Sequence, residues 1–333
     1  MSENVILGLS GGVDSAVAAC ILKSSGYAVS GVFLDNGLPD APLPAQETAD
    51  ALGIPLEIVD IRAELEKNVC APFAEAYQRG ETPNPCVMCN PAVKFRALCA
   101  AADRAGAGHI ATGHYARTEN GRLLRGAASN DQSYMLCRLT RDQVSRLLLP
   151  LGGYEKSAVR AMAAELGLAA ASRPDSMEIC FIPDNDYISW LERRGIAPPP
   201  GDIVFGGEVV GRHDGVHRWT VGQRLPGLYG GEKLYVSRLC AESAQVEVER
   251  GDALFKTRLR VRNMNWLIAA PLSPVTGSVK VRHTRSDEQP CTVTPTPDGG
   301  AEICCITPVR APAPGQSAVI YSGETVLGGG YIV

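Results

Sequence analysis

The sequence predicts an α/β domain with a parallel sheet, followed by two small β domains. Three observations support this fold class. Residues up to about 195 alternate short apolar runs with segments of helical spacing, as α/β domains do. A stiff, helix-ending stretch follows at Pro198–Gly201. Beyond it, short alternating segments are separated by Gly and Pro, which is typical of small β domains or barrels.

The order of elements in the first part favours parallel strands joined by crossover helices. Its predicted strands are Val5–Leu9, Ala28–Leu34, Leu56–Asp60 and His109–Thr112. Its predicted helices are Ala16–Lys23, Ala63–Tyr77, Val93–Ala105, Lys156–Leu166 and Asp186–Arg194. Later strands are predicted at Val204–Gly211, Leu234–Ser237, Gln245–Glu249, Leu259–Arg262, Ser278–Arg282 and Ala318–Tyr321. Because a turn at Arg250–Asp252 indicates a further division, we expect domains at residues 1–197, 198–252 and 253–333.

Composition limits the classes of protein to consider. The chain has 333 residues and a formal net charge of -4, which argues against a generally basic nucleic-acid binder. No stretch reaches the ~18–20 apolar residues that span a bilayer, and the first residues lack the sections of a secretory signal. We therefore expect a soluble, cytoplasmic protein with no membrane association.

The charge is nevertheless unevenly placed. From Lys256 to Arg285 there are seven basic residues and no acidic one. Such a patch can bind a polyanion even on an acidic protein. The alternative is a solvated strand face, and the charge pattern does not choose between the two.

A glycine-rich segment lies between the first predicted strand and the first helix, at the sheet edge where α/β folds bind ligands. Gly11 and Gly12 let the backbone approach an anion, and the start of the helix adds N–H groups. Asp14 is better suited to holding Mg²⁺ than to meeting a bare phosphate. The alternative is a tight strand–helix turn capped by Ser15. The full segment is Gly8-Leu9-Ser10-Gly11-Gly12-Val13-Asp14-Ser15.

Eleven cysteines, an odd number, are more than an intracellular chain needs and do not suggest a disulfide framework. Cys86 and Cys89 form a Cys-x-x-Cys pair in a predicted loop, and Cys180 lies in a second one. Because Cys89 lies just before a predicted helix, we expect a lowered thiol pKa there. The spacing also suits a metal or cluster half-site, or a redox pair. Burial is expected for Cys20, Cys70, Cys99, Cys137, Cys240, Cys291, Cys304 and Cys305.

Together these motifs resemble the bacterial tRNA-specific 2-thiouridylases. The matching segments are Ser10–Ser15, Thr82–Asn90 with Lys94-Phe95, Ala111–Arg117, Asp131–Tyr134, Ile179–Ile182 and Pro314–Ala318, and they extend over nearly the whole chain. The resemblance implies a Rossmann-like pyrophosphate-loop domain that binds ATP, a small central β domain, and a C-terminal β-barrel that helps to hold tRNA. The implied reaction is 2-thiolation of the wobble uridine through an adenylated uridine, with release of AMP.

The resemblance also assigns roles to individual residues. Cys89 falls at the catalytic nucleophile, Cys180 at the cysteine that carries a persulfide, and Asn84–Cys86 at the segment facing the target base. The implied ATP site is Gly8, Leu9, Ser10, Gly11, Gly12, Val13, Asp14, Ser15, Leu34 and Gly113. The implied tRNA contacts are Asn84, Pro85, Cys86, His114, Asn130, Asp131, Gln132, Arg282, His283 and Gln316.

Without the resemblance, some of these residues have simpler interpretations. His114 could be a half-buried histidine with satisfied hydrogen bonds, Gln132 a loop cap, and Arg282 an exposed strand residue.

Two features depart from the family pattern. Many members carry Asp at the position of Cys86, and Met177-Glu178 replaces the more usual residues before Ile179 and Cys180. A subgroup with this Cys-x-x-Cys arrangement is thought to hold an iron–sulfur cluster and to use sulfide. We therefore expect Cys86, Cys89 and Cys180 to ligate a [4Fe-4S] cluster; the alternative is a persulfide relay from Cys180 to Cys89. The expected sulfur donor is a cysteine desulfurase, a sulfur carrier or sulfide.

Two other function classes share parts of this pattern. A small-molecule amidating ligase with the same phosphate loop would need an ammonia source and no basic β domain. A non-catalytic RNA-binding module would not need an intact phosphate loop. The loop cysteines, the basic run and the phosphate loop therefore favour the thiolating enzyme.

Overall fold

The computed structural model describes residues 2–126, 130–173, 179–182, 184–283 and 288–333. The chain divides into two compact units. The first comprises Met1–Val69, Cys86–Phe181 and Glu324–Val326, and the second comprises Cys70–Pro85, Ile182–Gly323 and Leu327–Val333. Met177-Glu178 and Arg285, both singled out in the sequence, lie outside the described residues.

A five-stranded parallel sheet forms the centre of the first unit and confirms the predicted α/β class. The strands of this unit are β1 (Asn4–Gly8), β2 (Ala28–Asp35), β3 (Leu56–Asp60), β4 (His109–Ala111), β5 (Ala116–Glu119), β6 (Arg122–Arg125) and β7 (Leu147–Leu148). In the sheet their order is β3-β2-β1-β4-β7, while β5 and β6 form an antiparallel hairpin. Val5, Ile6 and Leu7 are buried in succession, as a strand covered on both faces requires.

The α-helices of the chain are α1 (Val13–Ser24), α2 (Leu43–Leu52), α3 (Arg62–Leu65), α4 (Ala71–Gln78), α5 (Pro85–Cys89), α6 (Phe95–Ala105), α7 (Ser133–Leu136), α8 (Arg141–Ser145), α9 (Lys156–Glu165) and α10 (Tyr187–Arg193). Of these, α4 and α10 belong to the second unit. In the first unit, α1 contributes Val13, Val17 and Ala18 to the core beside the sheet. This burial fixes the start of α1 next to the end of β1.

Proline explains two of the differences between the predicted elements and the structure. The predicted helix Ala63–Tyr77 is split into α3 and α4 by a π-helical turn at Glu66–Cys70. Pro72 cannot donate a backbone hydrogen bond, and its ring crowds the preceding turn. The Cys-x-x-Cys segment, predicted as a loop, is the helix α5, followed by a second π-helical turn at Asn90–Lys94. Pro85 suits the first turn of a helix, where its missing N–H costs nothing.

The second unit contains a four-stranded sheet made of β8 (Gly201–Phe205), β9 (Glu208–His213), β10 (Leu234–Cys240) and β11 (Gln245–Arg250). Its order is β10-β11-β8-β9, with β11 and β8 parallel. The sequence predicted one strand over Val204–Gly211, but the structure has a hairpin. Gly206 and Gly207 both have positive φ, +60° and +88°, as a tight two-residue hairpin turn requires.

A closed six-stranded barrel completes the second unit and confirms the predicted C-terminal barrel. Its strands are β12 (Phe255–Trp266), β13 (Val275–Lys280), β14 (Gln289–Pro295), β15 (Ala301–Arg310), β16 (Ser317–Ser322) and β17 (Thr325–Ile332). Pairing runs β12-β15-β14-β13-β16-β17, and β12 pairs with β17 to close the barrel. The start of β17, Glu324–Val326, belongs to the first unit, where Thr325 pairs with Leu124 of β6.

The barrel is filled by apolar side chains from every second residue of its strands. Val261, Val279, Val293 and Ile303 are each at most 1% exposed. Side chains alternate between the two faces of a strand, so the residues between them point outward. In the part of the chain that the structure describes, no helix is both long and apolar enough to cross a membrane.

Candidate functional site

The glycine-rich segment lies at the point where the sheet changes direction. β1 is flanked by β2 on one side and β4 on the other, so the chain leaves β1 toward one neighbour and reaches the other later. In open α/β sheets a crevice forms at such a point, outside the carboxyl ends of the strands. Gly8 ends β1 and α1 begins at Val13, which places the segment in this crevice.

Hydrogen bonds among its own residues shape this loop. The Ser15 hydroxyl donates to the Gly12 carbonyl at 3.0 Å, and the Ser10 N–H donates to Ser15 Oγ at 3.3 Å. Gly11 has a φ of +79°, and a Cβ there would come within 2.4 Å of the Pro44 carbonyl carbon. No side chain caps the start of α1. The loop therefore presents the first N–H groups of α1, an arrangement that suits phosphate binding.

The loop is closely packed on one side and open on the other. Leu9 and Val13 are buried, so only their backbone groups can face a nucleotide. A Cβ at Gly113, after β4, would lie 2.9 Å from the Asp14 carbonyl carbon, so glycine is required there. At Gly12 a Cβ would meet, among the described atoms, only Ser10 Oγ at 3.5 Å. The open side of the loop therefore lies beside Gly12.

Asp14 is held by two residues that the sequence analysis did not identify. Lys156 Nζ lies 2.7 Å from each carboxylate oxygen, and the Tyr115 hydroxyl donates to Oδ1 at 2.6 Å. Lys156 comes from α9, 142 residues further along the chain. This separation explains why no local motif indicated it. The phosphate loop lacks a lysine of its own, but the fold brings one to it.

Arg173 is a second cation at this loop. Its guanidinium donates to the carbonyls of Gly11 and Pro44 and pairs with Glu47. It therefore fixes the backbone at Gly11 against Pro44. Leu34, the remaining predicted ATP-site residue, lies near the carboxyl end of β2. The predicted ATP-site residues thus lie on β1, α1, β2 and the segment after β4, at one edge of the sheet.

The three candidate cysteines lie near one another in the first unit. Cys86 and Cys89 are three residues apart on α5, a spacing that puts them on the same side of a helix. The Cys180 carbonyl accepts a hydrogen bond of 2.9 Å from Asn36, which follows β2. Cys86 and Cys180 are exposed, and Cys89 is partly buried. Proximity of the other two thiols contributes to a higher pKa at Cys180.

The pKa expectation for Cys89 was wrong. Burial raises the pKa of the Cys89 thiol, and this effect outweighs the attraction of Lys94. Because the helix starts at Pro85, Cys89 is its last residue, not a residue at its N-terminus. The Cys180 residue is exposed as a whole, but desolvation of its thiol raises the pKa of Cys180 to about 11. Both thiols therefore favour the protonated form in this structure.

The cysteine set fits a cluster by its chemistry and its proximity. Among the described residues, no group of three or more His, Cys, Asp or Glu side chains is arranged to hold a single metal ion. In a four-iron cluster, however, each cysteine binds a different iron, so the thiols need not converge on one point. Three neighbouring thiols are the donor type that such clusters use.

His114, Asn130, Asp131 and Gln132 lie next to the ATP-site segment of the first unit. His114 Nδ1 is 2.8 Å from Thr112 Oγ1, and burial holds its pKa well below the usual value. Gln132 and Tyr115 exchange two hydrogen bonds, at 2.7 and 3.0 Å. Asp131 accepts bonds from Gly126 and Ser133. The Asn130 side-chain oxygen is buried without a partner among the described residues.

The outer face of the barrel carries a row of arginines on β12. Leu259 and Val261 point into the core, so Arg258, Arg260 and Arg262 alternate with them and face outward. Arg260 pairs with Asp298 at 2.7 Å and Arg262 with Glu81 at 2.8 Å. The basic run of the sequence therefore includes one continuous strand face, the β12 arginine row.

Comparison with known proteins identifies the family. Residues 3–184 match the model described as tRNA methyl transferase HUP domain, 190–250 the PRC-barrel domain and 256–332 the aminomethyltransferase beta-barrel domain. The tRNA-specific 2-thiouridylase MnmA of Syntrophotalea carbinolica is 42% identical, covering 99% of both chains. That of Rhodospirillum centenum is 43% identical, over 99% of this chain and 91% of its own. This chain belongs to the tRNA-specific 2-thiouridylase family.

Likeness to solved structures is weaker. A 4-thiouridine synthetase–RNA complex with bound ATP is 20% identical over 58% of this chain and 50% of its own, with a TM-score of 0.38. A TM-score this low adds nothing to the family assignment.

Two residues with an implied tRNA contact make structural contacts in the second unit. The Arg282 guanidinium donates to the carbonyls of Val221 and Ala311, at 2.8 and 3.0 Å. The Gln316 amide donates to the Thr82 carbonyl at 2.7 Å. Arg282 was expected on a strand, but β13 ends at Lys280.

Among the remaining implied tRNA contacts, Cys86 and His283 are exposed and the others are partly or largely buried. Asn84 is 8% exposed, and Pro85 is the first residue of α5. Desolvation of its ring lowers the pKa of His283, and Lys280 lowers it further. All tRNA-contact assignments remain predictions.

Proposed function

We propose that this protein is an ATP-dependent tRNA-thiolating enzyme that acts on C2 of the wobble uridine. The observation that carries the proposal is the occurrence, in one compact unit, of an open phosphate loop and three neighbouring cysteines. The relatives named above are tRNA-specific 2-thiouridylases, which supplies the substrate class. We propose three domains: residues 1–197 bind ATP, residues 253–333 hold tRNA, and residues 198–252 connect the two.

The first step is adenylation. The uridine O2 attacks the α phosphorus of ATP, a bond to O2 forms, and the bond to pyrophosphate breaks. The N–H groups at the start of α1 are proposed to stabilise the charge that develops on the phosphates. Electrostatic stabilisation of this kind is usually the largest single contribution to catalysis. Asn84–Cys86 is proposed to position the base.

The structure adds a partner for Asp14 that the sequence did not indicate. Mg²⁺ remains a proposed cofactor of the ATP site. Both oxygens of Asp14 already accept hydrogen bonds from Lys156, so in this structure Asp14 positions a protein cation. Lys156 is proposed to carry positive charge to the phosphates.

The second step is displacement. Sulfur delivered at the cysteine site attacks C2, a C–S bond forms, and AMP leaves with the former O2. Cys86, Cys89 and Cys180 are proposed to ligate a [4Fe-4S] cluster, which when bound would supply an open iron for sulfur. In the alternative, Cys180 carries a persulfide. The Cys89 thiolate attacks its outer sulfur, so that an S–S bond forms at Cys89 while the S–S bond at Cys180 breaks and leaves the Cys180 thiolate. A cysteine desulfurase, a sulfur carrier or sulfide is the proposed donor.

The test uses full-length protein, prepared anaerobically, with unmodified tRNA, ATP and sulfide. We expect AMP formation that depends on tRNA, and 2-thiouridine in the digested tRNA by mass spectrometry. Amidating chemistry would instead consume ATP without tRNA, and an RNA-binding module would form no AMP. Either outcome would contradict the proposed function.

A further inference from the structure

The short segment Glu81–Thr82, which precedes α5, is held from several sides within the second unit. The Glu81 carboxylate receives both arms of the Arg262 guanidinium, at 2.8 and 2.9 Å, and Arg79 at 3.2 Å. Its side chain is only 12% exposed. Bidentate, charge-assisted pairs of this kind fix orientation more strongly than single hydrogen bonds do.

The backbone of Thr82 is held as well. Its N–H donates to the Pro314 carbonyl at 2.8 Å, and its carbonyl accepts from Gln316 Nε2 at 2.7 Å. Gly315 lies between Pro314 and Gln316 and has a φ of +87°. A Cβ at this position would lie 2.9 Å from Glu81 Cβ and 3.0 Å from Thr82 N. Only glycine allows this approach.

The position of this segment bears on the residues that follow it. Thr82 precedes Asn84 by two residues, and Pro83 and Pro85 restrict the backbone between Thr82 and Cys86. When the backbone of a segment is restricted and one end is held in place, the residues that follow can occupy few positions. Fixing Thr82 therefore restricts where Asn84 can lie.

We propose that Arg262, Gly315 and Gln316 are positioning residues for thiolation, which together form the Glu81 clamp. They fix Glu81–Thr82 and through it Asn84, the first residue of the proposed base-facing segment. This inference rests on the proposed function. Arg262 belongs both to the clamp and to the β12 arginine row, which is proposed to face tRNA.

The Glu81→Gln variant tests the clamp. It keeps the shape of the side chain but removes the charge that Arg262 grips. We expect the single-turnover thiolation rate at saturating tRNA to fall by about tenfold to 10²-fold, since misplacement by about 1 Å has effects of this size. Affinity for tRNA should not weaken, because an acidic group has been removed from a basic face.

Asp298→Asn is the matched control. It removes the acidic partner of Arg260, two residues before Arg262 on the same strand face, and so changes the surface charge equally. It does not touch Glu81–Thr82. We expect its rate at saturating tRNA to equal that of the wild type, with the same change in tRNA affinity as Glu81→Gln.

Two further variants keep the inference testable if Glu81→Gln fails to fold. Arg262→Lys retains the charge but loses the two-armed grip, and Gln316→Met removes the hydrogen bond to Thr82. Both should lower the rate at saturating tRNA while ATP binding persists, and Arg262→Lys should also keep its tRNA affinity. Rates equal to wild type in these variants would overturn the clamp. Failure of the proposed function would appear separately, as wild-type protein that forms no 2-thiouridine.

Discussion

At the scale of single residues, Asp14 shows how a neighbouring charge decides the role of a carboxylate. Its position in the loop suits a cation, and the sequence favoured Mg²⁺. In the structure the cation is Lys156, whose ammonium lies 2.7 Å from both carboxylate oxygens, while Tyr115 donates to Oδ1. The pair is partly buried, and the two bonds to Asp14 orient the ammonium group.

The role of Lys156 can be measured directly. We expect Lys156→Met to lower tRNA-dependent AMP formation by about 10²-fold, because one oriented donor lost from a site of developing charge has an effect of this order. Lys23→Met, which removes a lysine from the opposite end of α1, should leave the rate unchanged. If AMP formation in Lys156→Met equals that of the wild type, Lys156 is only a partner of Asp14.

At the scale of elements, the short helix α5 determines how the cysteines are presented. A loop would leave Cys86 and Cys89 free to diverge, whereas a helical turn puts residues three apart on one side. Burial then raises the pKa of the Cys89 thiol, despite Lys94. A bound metal centre would lower this pKa, because a cysteine ligand binds metal as the thiolate.

Cys86 separates the two sulfur chemistries. We expect anaerobically prepared Cys86→Ala to lose bound iron and thiolation activity together, because a cluster site then lacks one of three protein ligands. Cys99→Ala, which removes a cysteine on α6, should retain both. Full thiolation by Cys86→Ala would refute the cluster and support the relay. A fully active wild-type enzyme without iron would do the same.

At the scale of the whole molecule, an acidic protein must attract a polyanion. The net charge of -4 opposes long-range attraction, but the β12 arginine row concentrates positive charge on one strand face of the barrel. Within this row Arg260 and Arg262 have acidic partners, Asp298 and Glu81. Arg258 is exposed and lies on the same face.

Salt dependence tests this surface. We expect Arg258→Gln to weaken tRNA binding and to reduce the slope of log Kd against log salt by about one, as loss of one phosphate contact should. Arg238→Gln, an exposed arginine of the small sheet paired with Glu247, should leave the slope unchanged. An unchanged slope in Arg258→Gln would show that tRNA does not use the β12 face.

The sequence by itself determined the fold class and the identity of the chemical groups. Apolar runs and their spacing predicted the parallel sheet, because burial on both faces forces continuous apolar strands such as Val5–Leu7. The glycines of the phosphate loop were recognisable because backbone shape at Gly11 admits few residues. Local rules of this kind act between residues close in sequence, so they apply before the structure is known.

The tertiary structure decided which residues contact one another across long stretches of the chain. Lys156 meets Asp14 across 142 residues, and Gln316 meets Thr82 across 234, so no local pattern could indicate either contact. Burial likewise reversed the expected pKa shift at Cys89, because desolvation depends on what packs around a thiol and not on its neighbours in sequence. Charge pairing and desolvation depend on distance in space, and only the folded chain sets those distances.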